Sequence, residues 1–588
     1  MSDWDNTPTA ETEASVTGSD TGEPEETKKP FEPARIIIPV DGPVVGEWNE
    51  REAFDYATYT AERDPDAPRG QPTGQWAASG RRYEWKEEFG DVAPRDDTLE
   101  RMLFGDPGDE TEHTGIGIQF QKLFKLDVNT EGEDEIVPIG SFEEAGLHPV
   151  MLDNIRLAGY TVPTPIQRYC IPAILKGHDV LSCAQTGSGK TAAFLVPILS
   201  KLMGKAKRLA APRPVDGQRG YVAEPLVLIV APTRELVTQI FDECRRFCYR
   251  SMLRPCVVYG GADGVTQRME LEKGCDILVA TPGRLTDFLE RGKILTLKRL
   301  KFVVIDEADE MLDMGFEPQI RKLLQGTDAN EDDDQQVLMF SATFQKPIRK
   351  LAKDFLADAY VQIRVGRVGS THENITQRLL WVDEHKKKEA IYDLLCTAPP
   401  ARTLIFVGHK RTADNLDDYL YNLKLPTTSI HGDRTQRERE DALLAFRSGK
   451  CPIMIATGVA ARGLDIKNVM HVVNYDLVQN IDEYIHRIGR TARIGNQGLA
   501  TTFYNDKNGD IAEDLVKILI EAGQEIPTFL ESYRPDGEIN FDEPNSDAED
   551  AVEDPTGGVA DGAWGAPAAD DAWGEEAAPA VGATADAW

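Results

Sequence analysis

Eight consecutive residues, Ala184-Gln185-Thr186-Gly187-Ser188-Gly189-Lys190-Thr191, limit what this chain can fold into more than any other stretch. Before them Asp179 to Cys183 reads as a short buried strand, and after them Thr191 to Met203 reads as a helix with apolar faces. Strand, glycine turn and helix in that order make a phosphate cradle. The glycines let backbone N–H groups close around phosphate oxygens at a helix N-terminus, the Lys190 ammonium reaches the outer phosphates, and the Thr191 hydroxyl is placed to bind magnesium. The common form of such a loop begins with glycine, whereas Ala184 holds that place here. A glycine-rich turn by itself is weak evidence, so the rest of the chain has to decide.

The formal charge of −34 over 588 residues argues at first against a polyanionic ligand. Its distribution reverses that: residues 1–137 carry net −20, residues 535–588 net −15, and residues 138–534 net +1. A balanced middle can present a locally basic groove, and nucleic acid remains a permitted partner. The length allows roughly three or four average domains. Eight cysteines without a CxxC pair or regular spacing fit a reducing compartment. Cys244 and Cys248 lie one helical turn apart but have no second pair to complete a metal site. There is no run of 18 apolar residues and no apolar leader. Neither membrane insertion nor secretion is expected, and the cytoplasm, with passage through the nucleus open, is the expected compartment.

Residues 1–114 are acidic and rich in Pro, Gly and Thr, a composition that buries too little apolar surface to order itself. Trp48, Trp76 and Trp85 are either docking points for partners or sporadic linker aromatics. From residue 115 a lead-in reaches Phe142 and a helix expected over Leu147 to Ala158. The turn that follows contains Pro163 and Pro165, which fix its backbone. There the Gln167 amide can donate and accept along one edge of adenine while Phe142 stacks on the base. Apolar runs at Leu226 to Ala231, Asp276 to Ala280, Phe302 to Ile305 and Val337 to Phe340 read as buried parallel strands alternating with helices. One of them delivers Asp306 and Glu307 to its C-terminal end, the edge where open α/β sheets hold ligands. Asp306 would bind magnesium there and Glu307 would polarise a water. Acidic pairs also cap helices, and it is the upstream cradle that favours the chemical reading.

Asp306-Glu307-Ala308-Asp309, together with Pro232-Thr233-Arg234-Glu235-Leu236, Gly260-Gly261, Thr281-Pro282-Gly283-Arg284 and Ser341-Ala342-Thr343 in order, resembles the DEAD-box ATP-dependent RNA helicases over roughly residues 115–534. Within that family the lead-in and the Ala184 to Gly187 context look most similar to the Vasa and translation-initiation helicases. The resemblance implies ATP and Mg2+ as cofactors. It also implies contacts to one RNA strand from Pro232, Thr233, Arg234, Gly261, Thr281, Gly283, Arg284, Arg437 and Thr457, which position a strand without reading its bases. Ser341, Thr343, Asp309, His486 and Arg487 are implied as couplers between lobes, and Asp465 as a neighbour of the nucleotide ribose. Arg490 and Arg493, three residues apart and so on one helical face, are implied as the arginines that stabilise the transferring phosphoryl group.

The expected architecture is two tandem RecA-like lobes, each a doubly wound parallel sheet. The first covers 115–366, a connector 367–376, and the second lobe 377–534 carries no cradle of its own. The tail 535–588, with Trp564, Trp573 and Trp588 in acidic surroundings, is expected to be disordered and either to recruit protein partners or merely to solubilise. Two positions depart from the family's usual residues: Gly458 stands where Asp or a small polar residue is usual, and Ala492 where Gly is usual. Gly458 loses a side-chain hydrogen bond, and Ala492 is tolerable unless its position needs a positive φ. The expected activity is that of a monomeric, RNA-stimulated ATPase that separates short RNA duplexes or remodels RNA–protein complexes, in translation initiation or another step. A clamp or scaffold with feeble ATPase competes with that reading. A DNA helicase is a third, because no residue here demonstrates a contact to a 2′-OH.

Overall fold

The computed structural model describes residues 86–105, 127–214, 220–325, 335–366, 374–461, 466, 469–492 and 497–535. The first lobe holds β1 (Val128–Glu131), β2 (Val180–Cys183), β3 (Val227–Val230), β4 (Pro255–Val258), β5 (Ile277–Ala280), β6 (Phe302–Ile305), β7 (Gln336–Ser341) and β8 (Val361–Val365). They lie in the order β1-β8-β2-β7-β6-β3-β5-β4. β1 runs antiparallel to β8 and the other pairings are parallel. Strands β2 to β6 are short runs with every residue buried, because helices cover both faces. Alternation divides each strand between two cores. Val227 and Ile229 of β3 face one core with residues of the helices Pro165–Lys176, Lys190–Met203 and Arg234–Phe247, while Leu228 and Val230 face the other with Leu285, Ile320 and Leu351.

Strand order positions the chemistry. β2, β7 and β6 are neighbours, so the loops leaving their C-terminal ends, which carry Ala184 to Gly189, Ala342-Thr343 and Asp306-Glu307, meet on one stretch of sheet edge. β3, β5 and β4 come next, so Thr233, Thr281 and Gly261 continue the same edge.

The second lobe holds β9 (Ile375–Trp381), β10 (Thr403–Val407), β11 (Thr427–Ile430), β12 (Ile453–Thr457), β13 (His471–Asn474) and β14 (Gly498–Tyr504), all parallel, in the order β11-β12-β10-β13-β14-β9. Two tandem doubly wound lobes are therefore present, as expected. Among the described residues no helix is long and apolar enough to cross a membrane. All eight cysteines are free thiols, and only Cys396 is exposed.

Two expectations need correction. Within the stretch to residue 114 that was expected to lack order, Asp97–Phe104 is a helix. The Asp96 carboxylate caps it by accepting from the Thr98 and Leu99 amides at 3.0 Å, and Leu99, Leu103 and Phe104 pack on Tyr249. The Tyr249 hydroxyl donates to Glu100 at 3.1 Å and accepts from the Asp96 amide at 2.9 Å, while Arg246 Nε donates to the Leu103 carbonyl at 2.8 Å. The connector also ends sooner than expected. β9 begins at Ile375, whose side chain is 1% exposed in the second lobe's core. The expectations for residues 1–85, for 367–373 and for the tail from 536 lie outside the described residues.

Candidate active site

Gly189 ends the cradle at φ +93 and caps the helix Lys190–Met203. A Cβ there would stand 2.6 Å from Gln167 Nε2, so the close approach as well as the backbone angle calls for glycine. That amide nitrogen donates to the Gly189 carbonyl at 3.1 Å, and Gln167 Oε1 accepts from the Thr164 amide at 3.0 Å. Gln167 is fully buried and Phe142 is 3% exposed within the apolar core. One lone pair and one N–H of the Gln167 amide remain beyond these two bonds. Lys190 lies largely buried, its Nζ donating to the Ala184 carbonyl at 3.0 Å and to the Ser341 carbonyl of β7 at 3.4 Å. Ser188 Oγ is buried with no hydrogen-bond partner.

At the end of β6 the Asp306 and Glu307 side chains are buried, and Glu307 takes a left-handed conformation with φ 52 and ψ 52. A non-glycine residue there stores on the order of 1 kcal/mol of strain. Glu307 Oε2 is buried without a hydrogen-bond partner. Burial pushes the Asp306 carboxyl up to about 6, against the pull of Lys190. Burial also holds Glu307 well above the usual carboxylate range, helped by the neighbouring Glu310 charge and opposed by Arg490. Between about pH 4 and pH 6 the folded chain therefore keeps a proton on Asp306 that the unfolded chain has released, and stability falls as pH rises through that window. The expected loss, relative to Asp306→Asn, is on the order of 3 kcal/mol in urea melts from pH 4 to 7.5. Parallel curves for the two proteins would overturn it.

Asp309 ties this turn to the next strand. Its Oδ2 accepts from the Ala342 amide at 3.0 Å, the Thr343 amide at 2.9 Å and Thr343 Oγ1 at 3.0 Å. Ser341 Oγ accepts from the Thr343 amide at 3.3 Å. The helix Ile481–Ile488 of the second lobe brings His486 to the same place: its Nε2 is 3.8 Å from Asp309 Oδ2 and its Nδ1 3.5 Å from Glu310 Oε1. Burial disfavours the imidazolium, but the Glu310 and Asp309 carboxylates outweigh it and His486 ends above its ordinary pKa. Arg490, 4% exposed, places Nη2 3.6 Å from Glu310 Oε1, and Thr186 Oγ1 donates to the Gly489 carbonyl at 3.4 Å. Gln345 Nε2 donates to Asp482 at 2.6 Å. Glu310 and Gln345 were not anticipated from the sequence. Arg493 and Asp465 lie outside the described residues.

Arg487 braces its own lobe, with Nη2 donating to Glu483 at 2.8 Å, Nη1 donating to the Asp476 carbonyl at 2.9 Å and the guanidinium 5.1 Å above the Phe406 ring. A Cβ at Gly458 would stand 2.5 Å from Glu483 Oε1 and 2.9 Å from Arg487 Nη2, so any side chain there would displace the ends of this pair. Ala492 does sit at positive φ, +54, in a buried position. Ala492→Gly is accordingly expected to raise stability by about 0.5–1 kcal/mol, the relief of left-handed strain exceeding the added unfolded-state entropy. Denaturant midpoints check this; a lower midpoint would show that the methyl's packing matters more.

Along the rest of the edge, Thr233 Oγ1 caps its helix by accepting from the Leu236 amide at 3.3 Å. Arg234 Nη1 donates to Gln436 Oε1 at 2.9 Å, and Arg439 pairs with Glu235 at 2.8 Å, both across the lobes. Gly261, at φ +81, lies against the Arg234 guanidinium, while Arg284 Nη2 donates to the Ala262 carbonyl at 3.2 Å. Pro232 and Thr281 are buried, Gly283 is exposed, and Thr457 ends β12 half-buried. Arg437 lies 3.9 Å from Asp441 on an exposed helix face. The structure thus gathers the cradle, the carboxylates, Ser341, Thr343, His486 and Arg490 at one place, with Thr233, Arg234, Gly261 and Thr281 of the first lobe continuing the same sheet edge.

Residues 164–351 match the DEAD/DEAH box helicase family and residues 386–495 the helicase conserved C-terminal domain. Among solved structures, the chain is similar to S. cerevisiae Dbp5 bound to RNA and ADP BeF3, at 28% identity over 66% of this chain and 95% of that one, with a TM-score of 0.56. It is similar also to Mss116p bound to ssRNA and AMP-PNP, at 26% identity over 68% of this chain and 82% of that one, TM-score 0.56. A DEAD box protein from the hyperthermophile Methanococcus jannaschii is 34% identical over 66% of this chain and 99% of its own length, TM-score 0.39.

Proposed function

The chain belongs to the DEAD-box family of ATP-dependent RNA helicases, and from that premise we propose how its residues divide the work. ATP occupies the cradle Ala184-Gln185-Thr186-Gly187-Ser188-Gly189-Lys190-Thr191, its adenine against Phe142 and Gln167 and its ribose near Asp465. Lys190, Arg490 and Arg493 offset the charge that develops on the γ-phosphoryl group, and Glu307 orients and deprotonates the attacking water. The observation that carries this reading is the meeting of Arg490 and His486 from one lobe with the carboxylate turn of the other.

Among the described residues no group of three or more His, Cys, Asp or Glu side chains forms a metal cage. The oxygen donors Asp306 and Thr191 suit a hard cation that keeps water and phosphate as its other ligands, as magnesium does. Bound there, magnesium would neutralise phosphate charge. The protein's own part is to hold Asp306 buried at the sheet edge and Lys190 across the base of the cradle.

RNA lies along Thr233, Arg234, Gly261, Thr281, Gly283 and Arg284 of the first lobe and Arg437 and Thr457 of the second, held by its phosphates and bent so that it no longer pairs with its complement. Dbp5 and Mss116p, each bound to RNA with a nucleotide or its analogue, support that arrangement. Asp309, Ser341, Thr343 and His486 couple RNA occupancy to the ATP site, with Arg487 bracing the second lobe behind His486. The free cysteines support a reducing, cytoplasmic setting, and the cradle context supports kinship with the Vasa and translation-initiation branch. The acidic tryptophan tails recruit protein partners to a monomeric enzyme.

ATP hydrolysis with and without single-stranded RNA tests the reading. Stimulation by RNA, and weaker stimulation by the matched DNA, is the expected result. Equal rates with and without RNA would leave the clamp or scaffold reading in its place.

A further inference from the structure

Arg490 is a guanidinium with almost no solvent around it, and a buried cation requires a counter-charge. The carboxylates within reach are unequal candidates. Asp309 is engaged by Ala342 and Thr343 through three hydrogen bonds to a single oxygen. Glu307 stands at the attack position in the proposed chemistry. Glu310, 1% exposed on the helix Ala308–Asp313, is the acid whose Oε1 lies 3.6 Å from Arg490 Nη2 and 3.5 Å from His486 Nδ1. Its backbone is fixed in turn, because the Glu310 amide donates to Asp309 Oδ1 at 3.0 Å.

We infer that Glu310, the residue immediately after the Asp306 to Asp309 turn, is a positioning residue for Arg490: its carboxylate holds the guanidinium of the second lobe over the first lobe's cradle. A separation of 3.6 Å is that of an ion pair without a short, direction-fixing hydrogen bond. Arg490 Nε donates to the His486 carbonyl at 3.2 Å, and the charge attraction of Glu310 keeps Nη2 near the cradle, where a phosphate oxygen can take over as its partner. His486 shares the same carboxylate at 3.5 Å, so the two second-lobe side chains are set as a unit. The inference rests on the proposed role of Arg490 in ATP hydrolysis.

The test is a double-mutant cycle on the full chain with RNA-stimulated ATPase as readout, using Glu310→Gln, Arg490→Gln and the pair. Glu310→Gln is expected to lower kcat about tenfold with KM for ATP changed less than about twofold, and to lower kcat less than about twofold further when Arg490 is already Gln. Glu310→Asp, which keeps the charge and shortens its reach, is expected to fall between wild type and Glu310→Gln, and serves as the second variant if Gln impairs folding. An unchanged kcat, or an equal loss in both backgrounds, would overturn the inference. Wild-type protein without RNA-stimulated hydrolysis would overturn the functional reading instead, so the two failures are distinct.

Discussion

Glu307→Gln is expected to reduce RNA-stimulated ATP hydrolysis about 10²- to 10⁴-fold, the range a positioned general base contributes, while ATP and RNA still bind. Three features make the prediction sharp. The Glu307 Oε2 atom is buried and has no hydrogen-bond partner, so the amide of Gln removes no bond at that oxygen. The left-handed backbone at φ 52 is as accessible to Gln as to Glu. Burial and the neighbouring Glu310 already disfavour the ionised form, so a neutral side chain relieves repulsion. Activity should therefore collapse with a melting temperature equal to or above that of wild type. Loss of activity together with loss of stability would point to a structural part for Glu307, and retained activity would remove it from the chemistry.

Arg490→Gln is expected to reduce hydrolysis about 10³- to 10⁵-fold, as loss of an arginine that stabilises a transferring phosphoryl group does. Binding of a non-hydrolysable ATP analogue should change little, because Lys190 and the cradle belong wholly to the first lobe. Comparing analogue affinity with single-turnover hydrolysis separates the two. A parallel loss of both would mean that Arg490 supports the fold of the site and not its transition state. Glu310 and His486, left facing each other without the guanidinium, should also hold the lobes together less well.

The parts of the fold most legible in sequence were those with one physical cause. Val227 to Val230 and Phe302 to Ile305 are apolar throughout because both faces of their sheet are covered, and their shortness and β-branched content favour a buried strand over a helix. The cradle was legible because Gly187 and Gly189 occupy φ values of +78 and +93. Ala492 shares that backbone region, yet alanine, unlike glycine, carries no local sign of a positive φ. The helix Asp97–Phe104 had its marks in plain view, an Asp cap, Leu99 and Leu103 one turn apart and a terminal Gly105. The acidic, proline-rich composition around it outweighed them, since composition is averaged over a window and a cap is not. Glu310 was invisible for a different reason: its partners His486 and Arg490 lie in the other lobe, and no local pattern encodes a meeting across that distance.

The same N-terminal helix bears on where this protein can be cut. A fragment trimmed to begin at residue 115, as motif boundaries suggest, would uncover Tyr249, strip Arg246 of its Leu103 carbonyl and leave the apolar footprint of Leu99, Leu103 and Phe104 open to water. Poor solubility of such a fragment would then report a missing lid on the back of the first lobe and say nothing about the catalytic edge. Truncations that begin ahead of Lys86 keep the lid and are the fair starting point for comparing lobes, tails and full chain.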